Sequence, residues 1–213
     1  VELASINHYE KGIKDYRDSV KKLLWLKNPR ERKEELLVWK DIRSLEKGQF
    51  RIINQMPPIV DFDWVFVPSL PKEAIQILPT FSYYDAKNLK FIGGPSWINK
   101  YLKNEHSNLG KMFLIGNDIE EKGAKFQVEY RKHNGKKPHL VDTISYESMM
   151  IVNKILEGQV FDKRDDLEKR MLDLKEIAGI TSNWNLVNGL WLKEMDIMKI
   201  SSRGFTKLEI KQE

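Results

Sequence analysis

The stretch Phe91-Ile92-Gly93-Gly94-Pro95-Ser96-Trp97 holds two adjacent glycines of the kind a phosphate-cradling loop would use. A Walker loop also needs a lysine and then a serine or threonine after the second glycine. A dinucleotide fingerprint needs three spaced glycines opening a helix. Neither pattern follows, so the two glycines are read as letting the backbone turn sharply at the carboxyl end of a strand. His8, His106, His133 and His139 lack metal-ligand spacing and are read as surface or loop histidines. Asp165 and Asp166 open a helix that also carries arginine and lysine, where their charge suits the helix start. No serine stands in a nucleophile-elbow context, and the chain has no cysteine to act as nucleophile, thiolate ligand or disulfide partner. The sequence therefore implies no catalytic, metal or cofactor site. Trp97 is the residue of interest, because it follows a strand end, where α/β sheets place ligands. It either walls a pocket there or closes the core.

The elements that would position this loop are legible from periodicity. Val1–Tyr9 alternates apolar and polar residues as a strand does. Gly12 and Asp15 then mark a turn and a helix cap before Tyr16, Val20, Leu23 and Leu24 recur at helical spacing. A second, highly charged helix is expected over about 29–47, opened by Pro29 and stopped near Gly48. After Pro57-Pro58, the run Asp63–Pro68 reads as a strand buried on both faces. Residues 70–85 read as a helix with Ala74, Ile75, Ile77, Leu78 and Phe81 inward and Pro79 as a kink, and Leu89–Gly94 as the next strand. Strand, helix, strand with short connections is the pattern of a parallel sheet. It repeats as a short helix over 97–104, a strand over 111–117 and a helix closed by Gly135. Helices are expected over 141–158 and 163–179, and strands from 180 to 210. Trp25, Trp39 and Trp64 fall at positions expected to be core.

Composition narrows the function classes. Hydrophobic residues at 41% and charged residues at 31% describe a folded globular chain, and the longest apolar runs are too short to span a bilayer as helices. The net charge of +5 invites a nucleic-acid reading, but the lysines alternate with glutamate and aspartate, as over 28–48. That is a solvated mixed-charge surface, so no nucleic-acid partner is expected. The opening directly on a strand-like run at Val1 suggests a piece of a longer chain, with any export signal or lipid anchor upstream.

Several stretches together resemble the carboxyl-terminal portion of a type I periplasmic-binding-protein fold, and within it the penicillin-binding-protein activators and leucine-type receptors. They are "HYEKGIKDYRDSVKKL", the charged "NPRERKEELLVWKDI", the central "FDWVFVPSLPKEAIQILPTFSYYDAKNLKFIGGPSWIN", "DTISYESMMIVNKILEG" and "GITSNWNLVNGLWLKEMDIMKI". Family members more often have a glycine where Ser182 stands. The resemblance runs the length of the chain and implies a mostly parallel three-layer α/β/α sheet, mainly the second lobe with hinge segments. It divides the chain into a second-lobe domain over 1–138 with a helical insertion at about 28–60, helices returning toward the first lobe over 139–179, and hinge and C-terminal strands over 180–213.

The same resemblance implies a non-catalytic, exported receptor, periplasmic or anchored to the outer membrane as a lipoprotein, that takes a small polar ligand between lobes. The ligand-facing residues would be Ser69, Gly94, Pro95, Ser96, Trp97, Asn117 and Asp118. Amino-acid receptors of this fold place an aromatic hydroxyl and a carboxylate on this lip. Ser69 and the Pro95-Ser96 region stand at those positions instead, with Asp118 as the nearest substitute acid. A peptidoglycan synthase or another envelope protein is the implied protein partner, and a homodimer through exposed sheet or hinge surface is a further expectation. The alternatives are a solute receptor feeding an ABC transporter and, in another class, an enzyme on a doubly wound sheet.

Overall fold

The computed structural model describes residues 2–10, 12–27, 32, 34, 35, 37, 38, 57–117, 122–158 and 160–209. Most of the helix expected over 29–47, with Trp39, lies outside the described residues. The structure consists of two compact units. The first comprises Val1–Phe113 with Ile200–Gly204, the second Leu114–Lys199 with Phe205–Glu213.

The first unit opens with Glu2–Glu10 as irregular chain rather than the expected strand. Helix α1 (Arg17–Leu23) follows, and the Asp15 carboxylate accepts from the Arg17 N–H at 3.0 Å at its start. Hydrogen bonds from the Arg17 guanidinium and N–H hold the Asp15 pKa down to about 2. Strand β1 (Trp64–Phe66) is parallel to β2 (Lys90–Gly93), with Val65 opposite Phe91. Helix α2 (Pro71–Tyr83) joins them and starts with proline, where the missing N–H costs nothing, while the Glu73 carboxylate accepts from the Leu70 N–H at 3.0 Å. Ala74, Ile77, Leu78 and Phe81 of α2 are buried, each large side chain contributing roughly 1.5–3 kcal/mol of apolar burial. Phe81 meets Phe91 at 5.3 Å between ring centroids. After a 3₁₀ turn (Pro95–Trp97), α3 (Lys100–Glu105) is capped by the Asn99 side chain, and a second 3₁₀ turn leads to β3 (Lys111–Gly116).

Strand alternation and the sheet edge correct three expectations in this unit. Strand β1 has β2 as its one neighbour among the described strands and is an edge strand. Its outer face is open: Trp64 is 46% exposed and Phe66 62%. Trp64 therefore sits against Phe113 and under the Lys90 ammonium rather than in the core. Trp25 is also exposed, because the chain reverses at a left-handed φ of 56° just after the buried Leu24 and turns the indole outward.

The second unit contains α4 (Ala124–Asn134), closed by Gly135 at φ 69°, a backbone conformation that glycine adopts without a Cβ clash. Helix α5 (Leu140–Leu156) is capped by Asp142, which accepts from the His139 N–H at 2.8 Å. Helix α6 (Arg164–Asp173) ends six residues before Gly179, where the sequence pattern had continued it. Glu176–Ala178 instead forms β4, paired antiparallel with β5 (Asn183–Val187), which pairs antiparallel with β6 (Leu190–Lys193). Burial of Ile177 against Ile151 and Ile155 of α5, with Leu167, Met171, Trp184 and Trp191 around them, outweighs the helical continuation.

One buried carboxylate ties these pieces together. Glu147 of α5 accepts from the Ile180 N–H at 2.7 Å and the Thr181 N–H at 3.3 Å through one oxygen. Through the other it accepts from the Lys193 ammonium at 2.5 Å. Gly179 passes close enough that an added Cβ would stand 2.8 Å from that carboxylate. Removing one member of a buried, hydrogen-bonded ion pair costs roughly 3–5 kcal/mol. Glu147→Ala is accordingly expected to lower unfolding free energy by about that amount in urea titration.

Candidate functional site

Three strand-end loops carry the residues singled out from sequence. In the first unit, Ser69 follows β1, and its N–H donates to the Val67 carbonyl at 2.8 Å. Its own carbonyl accepts from the Ser96 hydroxyl at 3.2 Å and from the Trp97 indole N–H at 3.1 Å. The loops after β1 and β2 are thereby joined. Trp97 is fully buried, and its ring lies against Gly93 so closely that a Cβ there would stand 1.9 Å from it. Only glycine permits that approach.

A cavity of about 660 Å³ opens at these loops, lined by Ser69, Gly94 and Ser96. Neither Pro95 nor Trp97 lines it. Asn117 belongs to the second unit, where its amide donates to the Ser182 hydroxyl at 2.9 Å and to the Glu194 carbonyl at 2.7 Å. Its carbonyl oxygen accepts from the Asp196 N–H at 3.3 Å. Asp118 lies outside the described residues. Asp196 is itself the meeting point of Lys122 at 2.8 Å and Lys207 at 2.7 Å. Burial alone would raise its pKa, but the two lysines more than offset that and hold the carboxylate below its usual range.

The cavity has both apolar and polar lining. Val20, Leu23, Val65, Phe66, Ile77 and Phe81 are among the apolar residues. The polar ones include Asn7, His8, Tyr9, Ser19, Ser69, Glu73 and Ser96. The Tyr9 hydroxyl donates to the Pro68 carbonyl at 3.3 Å, and its ring stands edge-on to Tyr16 at 5.6 Å. The Ser69 hydroxyl is buried beside the Tyr9 phenol but does not reach full hydrogen-bond geometry with it. Burial and then the Glu73 carboxylate raise the pKa of both Tyr9 and Tyr16. The Glu73 carboxylate, which accepts from the Leu70 N–H, and the Tyr9 hydroxyl line this cavity, while the buried Ser69 hydroxyl has no hydrogen-bond partner among the described residues. A carboxylate here suits a ligand that donates hydrogen bonds and carries positive charge.

Tyr9 and Glu73 were missed as site residues from sequence. The available signal for Tyr9 was its place at the end of a strand-like run that precedes a helix and a parallel strand. Strand ends of that topology gather on one side of a sheet. Glu73 reads in sequence only as part of a helix start. Among the described residues, no cluster of three or more His, Asp or Glu is placed to hold a metal ion, and no helix is long and apolar enough to cross a membrane.

No protein-family model and no curated protein matches the sequence. Solved structures do. The leucine-, isoleucine-, valine-, threonine- and alanine-binding protein of Brucella ovis superposes with a TM-score of 0.56 at 11% identity, over 95% of this chain and 48% of that one. The leucine-binding protein LivK of Thermotoga maritima gives 0.52 at 10% identity, over 94% and 49%. The chain has the type I periplasmic-binding-protein fold. An ABC transporter substrate-binding protein of Desulfitobacterium hafniense, solved in complex with leucine, gives 0.50 at 12% identity over 83% and 48%. The chain thus spans about half the length of the solved chains it matches.

The coupling between Glu73 and the phenols is measurable. Glu73→Gln removes the nearby negative charge, so the Tyr9 phenol is expected to titrate at lower pH than in the unaltered chain. Following the tyrosine ring carbons by NMR across pH 8–12 checks this; an unmoved Tyr9 would separate the two groups.

Proposed function

We propose that this chain is the ligand-facing part of a non-catalytic receptor of the bacterial cell envelope, which binds a small polar solute bearing an amine. The observation that carries the reading is the Glu73 carboxylate and the Tyr9 hydroxyl lining one cavity with Ser69, Gly94 and Ser96, the residues that follow β1 and β2. The fold supports it, since ligands of open α/β sheets bind outside those strand ends. The solved neighbours support it too, since their names describe binding of amino acids rather than catalysis. Tyr9 and Glu73 would supply the aromatic hydroxyl and carboxylate that Ser69 and the Pro95-Ser96 region lack. The same neighbours support an envelope location and delivery of the solute to a transporter. Regulation of a peptidoglycan synthase rests on the sequence resemblance of the charged segment at 28–42.

Thermal unfolding against amino acids, amino sugars, neutral sugars, nucleosides and muropeptides tests the reading. A solute at a hundred times its dissociation constant adds about 2.7 kcal/mol and moves the midpoint by a few degrees. Amine-bearing solutes are expected to give that shift, and Glu73→Gln to weaken it by about tenfold in affinity, roughly 1.4 kcal/mol. A flat screen, or a shift from neutral sugars that Glu73→Gln leaves intact, would overturn the assignment.

A further inference from the structure

Helix α4 carries a charge pattern that the solute cavity does not use. Residues 124–139 hold Lys125, Arg131, Lys132, Lys136 and Lys137 against one acid, Glu129. Lys125, Val128 and Lys132 recur at three- and four-residue spacing, and Arg131 stands three beyond Val128, so the four share one face of the helix. That face points to solvent, with Val128 at its centre 65% exposed. The other side of α4 is committed to packing within its own unit. There Phe126 stands 5.6 Å from Tyr130 and 4.9 Å from Tyr146 of α5, between ring centroids.

Two ordinary explanations of surface cations do not cover this stripe. A helix C-terminus favours positive charge, which accounts for Arg131 and Lys132 in the last turn. Lys125 stands in the first turn, where the helix dipole opposes it. Elsewhere cations are neutralised by a local partner, as Arg17 is by Asp15, Lys27 by Asp18 and Lys122 by Asp196. Among the described residues, Lys125, Arg131 and Lys132 enter no ion pair. Glu129 and Asp142 offset part of the charge, the latter already accepting from the His139 N–H at 2.8 Å and set close to Lys136.

Unpaired cations around an exposed apolar residue fit an anionic lipid surface. A soluble anionic polymer would meet the lysines and leave Val128 in water. A bilayer takes that side chain and the methylene stems of the lysines as well, while their charged heads stay among the headgroups.

We propose that the α4 face of Lys125, Val128, Arg131 and Lys132, with Lys136 and Lys137 beyond it, docks on an anionic phospholipid bilayer. The contact holds the chain against a membrane surface and does not require a solute in the cavity.

Sedimentation of the full chain with lipid vesicles tests this. Vesicles of phosphatidylglycerol and phosphatidylethanolamine are expected to carry it down, and phosphatidylcholine vesicles to leave it in solution. Raising sodium chloride from about 50 to about 500 mM should weaken binding at least about tenfold. Arg131→Glu, Lys132→Glu and Lys136→Glu together should also weaken it at least about tenfold. Val128→Ser should weaken it about threefold. Lys87→Glu, Lys163→Glu and Lys199→Glu together make the same change in net charge and should leave binding within about twofold. All of these positions are exposed, so the urea midpoints should match that of the unaltered chain and separate lost binding from lost folding. No binding to either vesicle, equal binding to both, or equal weakening by the two triple variants would overturn the docking face. Binding to heparin as tight as to the anionic vesicles, or binding unmoved by Val128→Ser, would also overturn it in favour of a soluble anionic polymer. A flat solute screen bears on the cavity alone and leaves this outcome standing.

Discussion

The polar lining of the cavity depends on one buried contact, the Trp97 indole against Gly93 with its N–H on the Ser69 carbonyl at 3.1 Å. The loops after β1 and β2 are separate in sequence, and each alone could take many paths. Trp97 removes that freedom by filling the core under one loop and bonding the backbone of the other. Ser96, its neighbour, adds a second donor to the same carbonyl. The Ser69 carbonyl thus accepts two hydrogen bonds, and Tyr9 and Glu73 contribute to the polar lining of the cavity. An aromatic residue at a strand end acts here through the shape it imposes on its neighbours.

The two units solve similar problems with different chemistry. In the first, apolar contact predominates, with α2 packing Ile77, Leu78 and Phe81 onto a parallel pair of strands. In the second, a charged residue sits at the centre. Glu147 is buried and paired to Lys193, and it accepts from the two N–H groups at the turn between β4 and β5. An ion pair in that position contributes little net stability compared with apolar packing. It does fix the path of the chain after β4, since only that path brings both N–H groups to one oxygen.

Sequence periodicity carried the βαβ core well. The run 71–83, the strands at 64–66 and 90–93, and the glycine stop at 135 stand where their residue patterns place them. It failed where a neighbour outside the window decided the outcome. Lys163–Gly179 has helical composition throughout, yet Ile177 belongs to a strand because β5 and α5 bury it there. The apolar run at 63–68 looks buried on both faces, but only sheet order reveals β1 as an edge. Of the cavity lining, Ser69, Gly94 and Ser96 are among the residues that the resemblance to the periplasmic-binding-protein fold singles out. Tyr9 is not, since it meets Pro68 across 59 residues of chain. Trp97 was ambiguous for a physical reason: an indole after a strand end can face either way, and the missing Cβ of Gly93 decides which.

The most direct test of this account is urea unfolding of Trp97→Phe beside the unaltered chain. Phenylalanine keeps an aromatic ring over Gly93 but removes the donor and part of the core volume, leaving the Ser69 carbonyl with one partner. A loss of about 2–3 kcal/mol, with the midpoint lowered and the slope unchanged, is the predicted result. Stability unchanged within about 0.5 kcal/mol would contradict it, because a replaceable indole could not be what holds the two loops as one lip.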